Sequence, residues 1–444
     1  MQRLRYIKQL GCASYVFPSA NHTRFEHSLG VYFITCKIIE KIQSEIKKNY
    51  RDQISDSEFK ELKKAMKAAA LLHDIGQTPF SHDLEPYLYD FFLEKIENDD
   101  LEDAAAHELL SKLIIQKSDR ISEIFNEHSI DKELVGNFIT GKQLENYEYI
   151  FAQKVINGDI DADKIDYLLR DAYFTGVPFG NIDYNRILDM FTIWDDGQAL
   201  QLAGIKKGYN AFESLVISRF QMYTSVYNHH TNRVVSTMML YAFTECLKDE
   251  EKKDPSWLLY NIDDSIVSRI GSRDGNKLRE IAPKKLGIQI LFRNLYKRFL
   301  KTNEEILIKN VKIKNLMNRH KPFLYNNQFK IINEIGEELS NKNIITRTES
   351  LNHNIPYILI DIQKEKYFKD LNFVLIDPKD PDMEEVPHLK YIGRFLRHIK
   401  TDKPIIPWIS YAFIQNKVNN RINREIEMSV KNYFNDNLGH EFWE

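Results

Sequence analysis

Apolar residues recur at helical spacing from Leu29 to Ile46, where Phe33, Ile34, Ile38, Ile39 and Ile42 fall on one stripe. That period predicts an amphipathic helix with a buried face. A second helix is predicted to open at Ser55-Asp-Ser-Glu58, where Ser and Glu have capping-box spacing, and to end in an apolar run before His73-Asp74. Gly76 is expected to let the backbone turn away there, and Pro79 to stop any continuation. Ahead of these helices, Tyr6 to Phe17 mix turn and extended signals. Helical patterning continues over Pro86 to Glu97 and Ala104 to Gln116 and, past a charged surface loop at Lys248 to Asp254, through about Lys301. Beyond that point Asn354 to Ile362 and Asn372 to Ile376 read as strands, Asp377 to Asp382 as a loop, and Ala412 to Phe434 as a final amphipathic helix. The prediction is a mainly α protein with a helical bundle over residues 1–301 and a smaller α+β domain over 302–444.

The 444 residues, 43% of them hydrophobic, can bury a large core. A net charge of -3 and a pI near 6.5 give no basic excess, so nonspecific nucleic-acid binding is not favoured and any anionic ligand must be held locally. The basic run Lys297 to Lys321 fits either a phosphate contact or a solvated helix face. Cys12, Cys36 and Cys246 lie far apart and form no C-x-x-C, which argues against a disulfide framework or a thiolate zinc site. A reducing cytoplasm is the expected location, since neither a signal core nor a membrane-length apolar run is present.

His73 and Asp74 are adjacent, so both can reach one ion only near a helix end, because neighbouring helical residues point about 100° apart. If a helix starts near Thr23, Arg24 and His27 share one face. His27, His73 and Asp74 offer nitrogen and carboxylate donors that suit Mn, Fe, Zn or Co more than Ca or Mg, and a fourth ligand is needed. The bland alternative is a polar helix start and a surface acid. Asp163, Tyr167 and Asp171 lie at i, i+4 and i+8, which is a solvated face or a site wall. Arg219, Tyr223 and Tyr227 repeat the spacing, followed by Asn228, His229 and His230. Core packing would explain the aromatic residues, whereas an Arg in line with two Tyr suits an anion beside a planar or sugar ring. His107-Glu108 by itself reads as a partly exposed helical pair.

Taken in order, Gln2 to Gly11, Arg24-Phe-Glu-His-Ser-Leu-Gly-Val31, His73-Asp-Ile-Gly, Pro79-Phe-Ser-His82, Asp161 to Tyr167, Arg170-Asp171 and Phe292 to Tyr296 resemble the motif series of the HD-domain phosphohydrolases. Within that superfamily the chain is similar to the deoxynucleoside triphosphate triphosphohydrolases, over residues 1 to about 300. The resemblance implies that His27, His73, Asp74 and Asp163 hold one divalent metal, with Mg accompanying the nucleotide. It implies that Gln9, Leu10, Arg24, Lys164, Tyr167, Asp171, Arg219, Tyr227 and, less securely, Asn228 line a dNTP pocket, with Gln9, Leu10 and Asp171 near the 3′ side of the sugar. The implied products are a deoxynucleoside and inorganic triphosphate.

Two departures stand out. Relatives carry His and Gly where this chain has Gln77 and Thr78, and a Gln amide does not exchange a proton at neutral pH. Proton transfer is then expected to pass to His82, His107 or water, with Glu85 or Glu108 orienting the donor. The family motif is also usually preceded by residues that help build an activator-nucleotide site, which Arg5 and Arg293 are expected to line, in a homo-oligomer, tetramer or dimer. The competing readings are a hydrolase of another nucleotide phosphate ester, and a turnover-impaired nucleotide sensor or nucleic-acid binder.

Overall fold

The computed structural model describes residues 1–88, 104–142, 149–247 and 255–272, parts of 287–300, and 358–361, 373–376, 408–411 and 428. The predicted helix Ala412 to Phe434 apart from Met428, the loop Asp377 to Asp382, the charged loop Lys248 to Asp254 and most of Pro86 to Glu97 lie outside the described residues.

The chain opens with two short 3-10 turns, Gln2–Tyr6 and Gly11–Tyr15. Helix α1 (Arg24–Asn49) follows, its N-terminus closed by a reciprocal Thr23–Glu26 capping box. Helix α2 (Asp56–Leu72) is capped in the same way by Ser55 and Glu58, as predicted. The apolar stripe of α1 (Val31, Ile34, Ile38, Ile42, Ile46) packs on Phe59, Leu62, Met66 and Ala69 of α2. Helices α3 (Ala106–Lys117), α4 (Asp119–His128), α5 (Lys132–Thr140) and α6 (Ile150–Ile156) come next. Helix α7 (Ala162–Thr175) is started by Asp161, whose side chain accepts from Lys164 N, and is ended by Gly176 at φ 74°.

Helix α8 (Tyr184–Met190) leads into a hairpin that the helical periodicities did not predict, β1 (Phe191–Asp195) paired antiparallel with β2 (Leu200–Ile205). Its turn carries Asp196, which accepts from Gln198 N and Ala199 N, and Gly197 at φ 84°. Residues Leu375–Ile376 add a third strand in parallel to β2, and Phe373 packs against Phe191 and Phe212. Helix α9 (Tyr209–Met222) runs into a π turn at Tyr223–Tyr227, then α10 (His230–Glu245) and, further on, α11 (Asp263–Ser272).

A second antiparallel sheet joins Lys297–Leu300, Trp408–Tyr411 and Ile358–Asp361. Residues 297–300 are therefore a strand, where helical periodicity was expected to run to Lys301. Their partner at 408–411 lies over a hundred residues away, so a local pattern could not register the pairing. No helix among the described residues is long and apolar enough to cross a membrane.

Two cores form. One joins α1, α2, α7 and the β1–β2 hairpin; the other joins Phe80, Leu84, Leu109 and Leu110 to Val235, Met238 and Phe243 of α10 and Ile266 of α11. Buried polar groups knit the N-terminal turns to both. Arg3 donates to the carbonyls of Ile75, Gln77, Leu258 and Asn261, and its burial lowers its pKa to about 10. Asp263 accepts from Lys8 N and Phe80 N, and Asp83 from Cys12 N and Ser236 Oγ.

The backbone turns at Gly76 as expected, without a left-handed φ. Gly76 is needed for close approach instead, because a Cβ there would strike backbone atoms of Ser111, His107 and Leu110 on α3. Gly76→Ala should destabilise the protein by about 1–3 kcal/mol, the usual cost of overpacking against backbone. Chemical denaturation would check this, and an unchanged midpoint would show that α3 can move aside.

Candidate metal centre

Three helix ends meet at the site. His27 sits in the first turn of α1, His73 is the C-cap of α2, and Asp163 lies in the first turn of α7. His27 Nδ1 donates to Asp166 Oδ2 (2.8 Å), and His73 Nδ1 donates to the Ala70 carbonyl (2.8 Å). These bonds aim both Nε2 atoms at one spot, 3.3 Å from each other, with Asp163 Oδ1 2.9 Å from His27 Nε2. Asp74 Oδ2 stands 3.5 Å from His73 Nε2 and 3.9 Å from His27 Nε2. Electron pairs converging inside a protein repel unless a proton or a cation lies between them. Burial disfavours a charged His27, yet its bonds to Asp163 and Asp166 outweigh burial and raise it to about 10. The pocket is thus built around positive charge, and the nitrogen and oxygen donors fit a divalent transition metal. His27, His73 and Asp163 come together as expected, while Asp74 lies slightly further out.

Arg24 accounts for that offset. Its guanidinium is buried and donates to Asp74 Oδ2 (2.8 Å), Ser81 Oγ (2.9 Å) and the Gln9 carbonyl (3.3 Å). Burial alone would raise the Asp74 pKa, but Arg24 and then His73, His27 and His107 hold it well below the usual carboxylate range. On the far side of Asp74 a hydrogen-bonded chain begins. His107 Nε2 is 3.8 Å from Asp74 Oδ1, His107 Nδ1 donates to Glu85 Oε1 (2.8 Å), and Glu85 Oε2 accepts from His82 Nδ1 (2.7 Å). His107 and Glu85 are buried, whereas the His82 side chain is 60% exposed, so the chain runs from the site toward solvent. Burial opposes charge on His107, but Glu85 raises it to about 9, and Glu85 is correspondingly held ionised.

Glu85, and not Glu108, orients both imidazoles. Glu108 instead accepts from Ala105 N at the start of α3, and burial raises its pKa to about 7. Gln77 is fully buried. Its Oε1 accepts from Thr78 N, and its Nε2 has no hydrogen-bond partner among the described residues.

Beyond Asp163, α7 presents Tyr167 and Asp171, and the π turn brings Tyr227 to them. The Tyr227 hydroxyl donates to Asp171 Oδ2 (2.7 Å), and its ring meets Tyr167 edge to face at 6.2 Å. Burial raises both phenols well above their ordinary pKa. The expected steps of four hold from Arg219 to Tyr223, where the guanidinium covers the ring at 5.6 Å. They then give way to the wider turn, with Asn228 N donating to Tyr223 O.

Lys164 is tied to Asp161 Oδ2 and to the Gly158 carbonyl. Gln9 is buried beside Arg24, with Leu10 half-buried next to it. Arg5 is exposed and lies over the Phe25 ring, while Arg293 donates to the Tyr15 carbonyl.

Three supporting residues escaped sequence reasoning. Asp166 holds His27, Arg170 holds Asp166 through two hydrogen bonds, and His22 bonds Asp171. Asp166 lies one helical turn past Asp163, and that spacing was the available signal. Gly30 of α1 makes room for the Asp166–Arg170 pair, since a Cβ there would collide with it.

Comparison with known proteins agrees with this geometry. The HD domain family matches residues 24–171, from the first residue of α1 through α7, and the HD associated region matches residues 182–376. An HD domain is thus the class that the helical arrangement and the His/Asp cluster define. The chain thus carries an HD domain followed by an HD-associated region.

Among curated proteins it is 36% identical over 301 residues to the uncharacterized protein MJ1154 of Methanocaldococcus jannaschii, covering 67% of this chain and 54% of that one. It is 31% identical over 329 residues to the deoxynucleoside triphosphate triphosphohydrolase SAMHD1 homolog of Dictyostelium discoideum, covering 70% and 57%. The chain spans about half the length of the curated relatives it matches. A crystal structure of a hypothetical protein from Aquifex aeolicus superposes with a TM-score of 0.60 at 25% identity, covering 97% of this chain and 92% of that one.

Asp166→Ala should weaken metal retention by about 10–100-fold, because His27 would lose the partner that fixes its tautomer. Metal content after dialysis is the measurement, and full retention would show that the ring needs no support. Asp163→Ala should remove the metal altogether, and with it any turnover.

Proposed function

We propose that the protein is a metal-dependent phosphohydrolase whose substrates are deoxynucleoside triphosphates, cleaved to a deoxynucleoside and inorganic triphosphate. The observation that carries this reading is the placement of the metal-ligand cluster. On one side it adjoins the Asp74···His107–Glu85–His82 chain, and on the other the wall of Tyr167, Asp171 and Tyr227. Relatives that bear the name deoxynucleoside triphosphate triphosphohydrolase supply the triphosphate part of the reading.

A bound divalent cation supplies Lewis-acid polarisation of a phosphoryl oxygen and a more acidic water. The chain's own residues do the rest. His27, His73, Asp74 and Asp163 hold the ion, and Arg24 keeps the Asp74 carboxylate ionised and oriented. His107 gives up its proton from Nε2, on the Asp74 side, while Glu85 stays a carboxylate and holds the His107 and His82 rings in place. The Arg219 guanidinium and the Lys164 ammonium neutralise the polyphosphate, Lys164 after leaving Asp161. Tyr167 and Tyr227, in edge-to-face contact, form the apolar wall against the sugar.

A second reading, hydrolysis of another nucleotide phosphate ester, is favoured by Gln77. Its buried amide can donate a hydrogen bond but cannot deliver a proton to a leaving group.

Chromatography of products from mixed dNTPs and NTPs, with Mn or Mg and with chelator as control, separates the readings. Inorganic triphosphate from dNTPs alone is the expected result. Release of monophosphate or orthophosphate would replace the first reading with the second, and tight binding without turnover would point to a sensor. Gln77→His should raise kcat by about tenfold or more if residue 77 limits proton transfer; an unchanged kcat would remove it from that role.

A further inference from the structure

His22, which supports Asp171, takes no part in the mechanism above, yet it is among the most enclosed polar side chains near the site, with no exposed side-chain surface. Its Nε2 is 2.8 Å from Asp171 Oδ1. A carboxylate only accepts, so Nε2 carries the hydrogen and donates it. The ring stacks on Phe174 with centroids 4.4 Å apart and planes 16° apart. The backbone beneath is also held, because the His22 carbonyl accepts from Gln9 N (2.9 Å) and Thr23 pairs with Lys8. His22 Nδ1 is buried without a hydrogen-bond partner among the described residues. A buried bare nitrogen is costly, and here it accompanies a ring orientation that serves Asp171.

Asp171 is therefore clamped from both ends, by His22 on Oδ1 and by the Tyr227 hydroxyl on Oδ2. A carboxylate has about four acceptor sites, and the two that remain can face a ligand in a fixed direction. We propose that His22 is a positioning residue which, through Asp171, sets how strictly the pocket requires a hydroxyl on the far side of the sugar ring. This rests on the nucleotide reading above. The hydroxyl concerned is the one that 2′,3′-dideoxynucleotides lack. With His22 in place Asp171 is oriented before the ligand arrives, and an analogue without the hydroxyl leaves a buried acceptor unpaired.

The test compares equilibrium binding of the α,β-imido analogues of dATP, dGTP, dCTP and TTP with their 2′,3′-dideoxy counterparts, by calorimetry on the metal-loaded protein. The wild type should prefer the hydroxylated set. His22→Phe keeps a ring on Phe174 and removes the donor, so it should reduce that preference by about tenfold. His22→Gln returns a donor at similar reach and should restore most of it. Should His22→Phe fail to fold, the pair His22→Gln and His22→Met, alike in length and differing in the donor, gives the same comparison. A residue that only filled space would weaken both sets of analogues equally, and equal weakening overturns the inference alone. A wild type that binds neither set overturns the nucleotide reading and this inference with it.

Discussion

Buried acids that must each find a cation are the constraint on which the site depends. Asp74 is held by Arg24, Asp161 by Lys164 and Asp166 by Arg170. An unpaired carboxylate at such depth would cost several kcal/mol, on the order of the net stability of a domain. Among the described residues Asp163 forms no ion pair with a Lys or Arg; it faces His27. The charge balance is thus incomplete at one point, where the two Nε2 atoms and Asp163 converge. A divalent ion would complete it, so the pairing around the edge and the donor set at the centre serve one end.

The same constraint shapes the packing. Ligands come from α1, α2 and α7, which share the first core, while His82, Glu85 and His107 stand on segments tied to the second. Asp74 lies where the two meet, bonded to Arg24 and 3.8 Å from His107. Gly76 allows α3 to approach closely enough for that contact. Arg3 fastens the same loop from outside through the Ile75 and Gln77 carbonyls. Held from both sides, this loop fixes the separation between the His27–His73–Asp163 cluster and the His107–Glu85–His82 series.

At the Tyr167–Asp171–Tyr227 wall, rigidity comes from another source. A π turn at Tyr223–Tyr227 widens the helix by one residue, and the Tyr227 hydroxyl thereby reaches Asp171. Such turns sacrifice regular backbone bonding and persist where a side chain must be aimed. His22 completes the arrangement from the loop before α1, so residues far apart in the chain hold one carboxylate.

Much of this was legible in the chain itself. The helix start near Thr23, the capping box at Ser55, the helical stripe from Leu29 to Ile46 and the metal-ligand candidates His27 and His73 follow from spacing, because helix geometry turns short separations into shared faces. Asp163 entered through resemblance to a family, since nothing local distinguishes it from Asp161 or Asp166. The hairpin at 191–205 had its own signal, two β-rich runs around Asp196-Gly197, but the helical period on both sides obscured it. What tertiary structure alone decided is which neighbour each polar group meets: Glu85 rather than Glu108 beside the imidazoles, Arg24 behind Asp74, Asp166 behind His27, and His22 behind Asp171. Local sequence sets helix phase and ends through bonds only a few residues long. The partner of a buried charge is chosen by packing between distant segments, where the cost of leaving it unpaired selects a single arrangement.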